Sequence, residues 1–170
     1  MEFIWLSGAA RLFQMPFSFS IQHPFSRGFV EAASADAFAA PRVDLRTASN
    51  PVDVELYVAA LRWGRRVVAT PAIQRLAPAE LQPGSAVDAD ADIRKYVRGA
   101  MSTMFHPAGT CAMQPRALGG VVDARLRVHG VANLRVVDAS IMPLIVAAHL
   151  QTTVYAIAEK AADMIKEDCK

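Results

Sequence analysis

No Gly-x-Gly-x-x-Gly occurs anywhere in the 170 residues, and of the nine glycines only Gly119 and Gly120 are adjacent. This excludes a self-contained βαβ dinucleotide-binding unit, in which glycines let the backbone approach a pyrophosphate. The two cysteines, Cys111 and Cys169, exclude a disulfide framework and a cysteine-based metal centre. Neither sign of charge dominates: 18 Lys and Arg face 16 Asp and Glu, so nothing marks a nucleic-acid surface. The densest basic cluster, Arg62, Arg65 and Arg66, reads as the solvated face of a helix. No run reaches the roughly 18 uncharged apolar residues of a membrane span. The apolar first 21 residues carry Glu2 and Arg11 and lack the basic start and small-residue cleavage site of a secretory leader. They read as an extended, partly buried lead-in.

Apolar residues are abundant instead. The hydrophobic fraction of 53% is above the roughly 45–50% of ordinary soluble domains, which implies apolar surface intended for polypeptide outside this chain. The turn cluster His23-Pro-Phe-Ser-Arg-Gly28 feeds Phe29–Ala33, and Pro41–Leu45 is a second extended piece; together they suggest strands of a mixed or antiparallel sheet. Asn50-Pro51 reads as an N-cap with proline in the first turn and Asp53 and Glu55 near the positive end. Val54, Tyr57, Val58, Leu61 and Val68 then follow at helical spacing until Thr70-Pro71. After a loop over 76–87, Asp88 is placed to cap a helix with Ile93, Val97, Ala100 and Met101 inward. Val121-Val122 and Leu126–Val128 read as short strands around a turn. Leu134–Asp138 reads as a buried strand ending in an acid at a ligand crevice. Residues 151–166 form a closing helix with Val154, Ile157, Ala158, Ala161 and Ile165 inward.

Among four histidines, two stand in patterned surroundings: His106 opens His106-Pro-Ala-Gly-Thr-Cys-Ala-Met113, and His149 precedes Leu150 and Gln151 at the start of the last helix. Imidazole alone changes charge near neutral pH without perturbation, so two of them at one cofactor can remove a hydroxyl proton and hold the resulting alkoxide. That is the chemistry of alcohol oxidation. His23 and His129 read as ordinary surface or core residues. Cys111 offers no metal site, because zinc normally takes at least three protein ligands and none are grouped with it.

Residues 15–167 resemble the C-terminal part of the glucose-methanol-choline (GMC) oxidoreductases, flavoenzymes that include aryl-alcohol oxidases and choline dehydrogenases. The resemblance rests on five motifs in order: Ser26-Arg27-Gly28; His106-Pro107-x-Gly109-Thr110-x-x-Met113; Gly120-Val-Val-Asp123 with Leu126-Arg-Val128; Leu134-Arg-Val-Val-Asp-Ala-Ser140; and His149-x-Gln151. It implies an α+β fold: a substrate-binding domain of mixed or antiparallel sheet with helices, plus the last strand and helix of a Rossmann-like FAD-binding domain whose N-terminal half is absent. The implied division is a lead-in over 1–14, the substrate-binding domain over 15–118 with His106 near its end, and a return to the FAD-binding domain over 119–170.

The resemblance further implies FAD as cofactor and a small-molecule alcohol as substrate, with hydride passing to flavin N5 while His106 acts as base and His149 hydrogen-bonds the alkoxide. Asp138 would accept from a ribityl hydroxyl, Ala139 would keep the backbone close to the cofactor, and Leu150 and Gln151 would offer the amide end of the last helix to the flavin. The implied partner is a missing FAD-binding polypeptide or domain; no metal, nucleic acid or transmembrane segment is expected. Two other readings stay open at this point: a hydroxynitrile lyase or cyclase on the same fold, and a truncated relic without catalysis.

Overall fold

The computed structural model describes residues 2–5 and 17–169, with side chains from residue 18 onward. Most of the lead-in over 1–14 lies outside the described residues. The chain divides into two compact units, residues 1–102 and 103–170.

In the first unit, β1 (Glu2–Trp5) pairs antiparallel with β2 (Phe17–Ser20). β3 (Phe29–Glu31) pairs antiparallel with β4 (Arg42–Asp44), in the register Phe29 to Asp44 and Glu31 to Arg42. The extended pieces expected at 29–33 and 41–45 thus pair with each other in one short ribbon, separate from that of β1 and β2. Gly28 leads into β3 where a Cβ would stand 2.1 Å from the Asp44 carbonyl oxygen, so only glycine lets the two backbones meet.

Helix α1 (Pro51–Val68) starts as its sequence dictates: Asn50 is extended and its side-chain oxygen accepts from Val52 N at 3.0 Å, with Pro51 in the first turn. It is followed by the single turn α2 (Pro71–Gln74) and then α3 (Asp90–Ala100). Val54 and Val58 of α1 meet Ile93 and Val97 of α3, flanked by Tyr57, Leu61, Tyr96 and Met101. Each fully buried aliphatic side chain of this kind contributes roughly 1.5–3 kcal/mol. The helices are also joined outside the core, where Arg94 donates to both carboxylate oxygens of Glu55 at 2.6 and 2.9 Å.

Three expectations are corrected here. Ala89, not Asp88, precedes α3, and no side chain caps it; the Asp88 carboxylate is drawn to Arg65 at 3.2 Å instead. Ala100 is exposed, and Tyr96 packs on the core in its stead. Arg65 does not lie in solvent. Its guanidinium donates to Glu80 (2.9 and 3.0 Å), to the Val87 carbonyl (2.8 Å) and to the Gly84 carbonyl (3.3 Å), clasping the loop over 76–87. A five-donor planar fork can satisfy loop carbonyls that have no helix or strand to join.

Asp53 is 1% exposed. Its two oxygens accept from Phe25 N and Ser26 N, each at 2.8 Å, and Ser26 Oγ accepts from Asn50 N at 3.1 Å. The Ser26-Arg27-Gly28 motif therefore seats the first turn of α1. Burial pushes the Asp53 carboxyl up, but the hydrogen bonds from Ser26 and Phe25 outweigh it and hold the group below the ordinary carboxylate value.

The second unit contains one long helix, α4 (Gln151–Asp168), and two 3-10 turns, Arg116–Leu118 and Ala139–Ile141. The rest is ordered loop. The expected strands at 121–122, 126–128 and 134–138 are present only as isolated bridges, Met113 to Val122, Val122 to Val128 and Arg127 to Arg135. A strand is defined by a ladder, and Leu134–Asp138 finds no longer neighbour to pair with among the described residues. The core is Val122, Leu126, Ile141 and Ala161, with Val136, Val137 and Ile157 packed on it. Of the face predicted for α4, Ala161 and Ile157 are covered, whereas Ala158 is exposed and Ile165 is 40% exposed. Arg125 and Arg135 both bond the Asp168 carboxylate, and Arg125 also donates to the Met164 carbonyl at 3.2 Å, which ties the C-terminal end of α4 to this loop.

Because the folded state lowers the Asp53 pKa, its contribution to stability is fully present above the unfolded value of about 3.9 and is lost as pH falls through the lower folded value. Asp53→Asn replaces one acceptor with a donor facing an amide, so denaturant unfolding at pH 7 should show a loss of about 1–3 kcal/mol. The difference between variant and parent should shrink below pH ~4; a constant difference down to pH ~2 would contradict the assignment.

Candidate active site

The site is assembled by backbone pairing between two segments far apart in sequence. Gly109 N donates to the Ala139 carbonyl at 3.3 Å, Cys111 N to Ser140 at 2.8 Å and Met113 N to Ile141 at 2.7 Å. Alternate amides of the His106 motif thus take successive carbonyls of the turn that follows Asp138. Gly109 has φ +87°, and a Cβ there would stand 3.1 Å from the Met142 carbonyl oxygen, so the motif needs glycine at this position. Just before His106, Phe105 adopts φ +58° with its amide on Thr103 Oγ1 at 2.9 Å and its ring 84% exposed.

His106 and His149 are brought together. Nε2 of His106 lies 2.6 Å from Nδ1 of His149, and the rings meet edge to face with centroids 4.9 Å apart and planes at 88°. One ring donates and the other accepts, so a single proton lies between them. His106 is half-buried and His149 exposed, which leaves the pair open to a small ligand. His149 is carried on the loop into α4. That helix has Leu150 at its N-cap position, 5% exposed, with no side chain capping the first turn. The leading amides of an 18-residue helix are therefore left for another acceptor.

Asp138 lies at the start of the turn Ala139–Ile141, and its Oδ1 accepts from both the amide (2.8 Å) and the hydroxyl of Ser140. The residue is exposed, and its Oδ2 makes no hydrogen bond among the described residues. Ala139 is half-buried with its carbonyl on Gly109. The Gln151 side chain is turned along α4, Nε2 donating to Tyr155 Oη at 3.1 Å, so only its backbone amide faces the helix start. His129 has the ordinary role expected for it, its Nε2 3.1 Å from the Gln114 carbonyl oxygen. Cys111 and Cys169 are free thiols, and no three metal-ligating side chains cluster among the described residues.

Ser140 carries no expected role beyond closing the Leu134–Ser140 motif. Its signal was available, since a hydroxyl two residues after an aspartate at a turn is a common way to fix the acid's side chain.

Two hydrogen-bonded imidazoles define a class of site able to exchange protons near neutral pH. Comparison with known proteins gives this class a family. The model of the family described as GMC oxidoreductase matches residues 24–158. Patulin synthase of Aspergillus clavatus is 45% identical over 152 residues, covering 88% of this chain and 24% of that protein. A solved fungal aryl-alcohol oxidase superposes with a TM-score of 0.79 at 45% identity, over 91% of this chain and 25% of that one. An FAD-dependent oxidoreductase from Chaetomium thermophilum gives 0.81 at 35% identity, over 86% and 26%. The chain belongs to the GMC oxidoreductase family, and it spans about a quarter of the length of the curated relatives it matches.

Gly109→Ala should strain the backbone by about 1–3 kcal/mol and pull the motif off the turn. Imidazole nitrogen NMR should then show the His106–His149 hydrogen bond weakened or lost, while the Asn50-capped helix of the first unit keeps its amide protection.

Proposed function

We propose that this chain carries the proton-handling half of an FAD-dependent oxidoreductase acting on the CH–OH group of a primary or aromatic alcohol. The observation that carries the reading is the 2.6 Å approach of His106 Nε2 to His149 Nδ1. Two imidazoles at that distance can part to admit one hydroxyl oxygen, with one ring taking its proton and the other holding the charge left behind. The motif resemblance gives the first role to His106 and the second to His149.

The residues present suit a flavin dinucleotide. Asp138 Oδ2 is an acceptor suited to a ribityl hydroxyl, Ala139 leaves room for close approach, and the amides at Leu150 and Gln151 suit a carbonyl that gains negative charge. When bound, FAD supplies the acceptor for hydride from the alcohol carbon. His106 removes the hydroxyl proton, and His149 keeps the oxygen in place and offsets its charge. Correctly placed acid–base help of this kind is worth about 10²- to 10⁴-fold in rate.

The assignment of residues 15–118 to the substrate-binding domain and 119–170 to the FAD-binding domain belongs to the same proposal, as does the supply of the glycine-rich FAD-binding part by polypeptide outside this chain. On that reading the chain alone binds FAD weakly. Absorbance spectra with excess FAD should show little bound flavin; a tight, stoichiometric yellow complex would overturn this point.

Co-expressed with the FAD-binding part of a relative, the chain should yield a flavin band that bleaches on addition of alcohol. His106→Ala should slow the bleaching about 10²- to 10⁴-fold. Substitution of Gln151, which acts through its backbone, should cost less than substitution of His149. A bound flavin that never bleaches while the alcohol derivative is cleaved would favour lyase chemistry instead.

A further inference from the structure

We propose that Ser140 is a positioning residue for the cofactor, fixing the Asp138 carboxylate in the one orientation that presents Oδ2 to a ligand hydroxyl. The inference rests on the proposed function above, in which Asp138 receives a polyol hydroxyl of FAD. Asp138 sits at φ −160° and ψ −170°, outside the turn it caps. An exposed carboxylate there is ordinarily free to rotate about χ1 and χ2. Ser140 removes that freedom by placing two donors, its amide at 2.8 Å and its hydroxyl, on the same oxygen.

With Oδ1 saturated in this way, the lone pairs of Oδ2 are the acceptors left. A hydroxyl ligand then meets an acceptor already oriented, and the rotamer entropy of the aspartate is not lost on binding.

The backbone of Ser140 fixes this arrangement relative to the histidines. Its carbonyl accepts from Cys111 N at 2.8 Å, the middle rung of the pairing that holds the His106 motif. One residue therefore sets both the acceptor for the cofactor and the register of the segment bearing the base. The hydroxyl, however, serves only the first of these, so its removal separates the two.

Three-bond Hα–Hβ and N–Hβ couplings of Asp138 in the labelled chain test the orientation directly. A single rotamer is expected with Ser140 and with Ser140→Thr, and rotamer averaging with Ser140→Ala. A single rotamer retained in Ser140→Ala would overturn the proposal. Should the alanine variant fail to fold, Ser140→Thr against Ser140→Val makes the same comparison between side chains of equal shape.

FAD titration by fluorescence quenching, on the chain co-expressed with the FAD-binding part of a relative, tests the consequence. Ser140→Ala should weaken binding about five- to tenfold, Ser140→Thr should restore it, and Ser140→Ala should change nothing further in an Asp138→Ala background. An undiminished loss in that background would mean that Ser140 acts on the cofactor by another route, which also overturns the proposal. If Asp138→Ala itself leaves FAD binding by that complex unchanged, the cofactor reading of Asp138 fails, and the couplings still decide what Ser140 does.

Discussion

The second unit depends on three backbone hydrogen bonds, from Gly109, Cys111 and Met113 to Ala139, Ser140 and Ile141. Little regular structure surrounds them: apart from α4 there are only short turns and isolated bridges. The three bonds set the register of the two segments, since alternate amides of one are paired with successive carbonyls of the other. It places the segment carrying His106 beside Asp138 and Ala139, and the approach of His106 to His149 builds on it.

The first unit solves a different problem. Its core is a conventional contact of two amphipathic helices, Val54 and Val58 against Ile93 and Val97, held at its edge by Glu55 and Arg94. What distinguishes it is the buried Asp53, which takes the amides of Phe25 and Ser26 into the first turn of α1. A buried carboxylate is tolerated because each oxygen has a donor, and the strand-bearing segment before it is thereby fixed to the helix.

The helices were legible in the sequence because their signals are local: Asn50-Pro51 at one start, and apolar spacing through α1, α3 and α4. Ile93 and Val97 follow from periodicity alone. The strand expected at Leu134–Asp138 was not found because an apolar run encodes burial, while pairing needs a partner that periodicity does not name. Asp53 was placed near the helix dipole but not recognised as buried, since its donors lie 27 and 28 residues away. At the site, the two motif histidines were legible as types and their mutual bond was not. Ser140 stands in the sequence only as the last residue of a motif, because its chemistry is short-range and its residue type commonplace.

Arg65 shows how far shape can matter where charge is the obvious description. Its guanidinium reaches two carboxylates, Glu80 and Asp88, and two main-chain carbonyls, at Gly84 and Val87. A lysine would keep the charge and lose the planar fork, and a single ammonium has three donors clustered at one point. The loop over 76–87 is in this sense written partly in another segment of the chain: one side chain on α1 takes both its Glu80 carboxylate and its main-chain carbonyls at Gly84 and Val87.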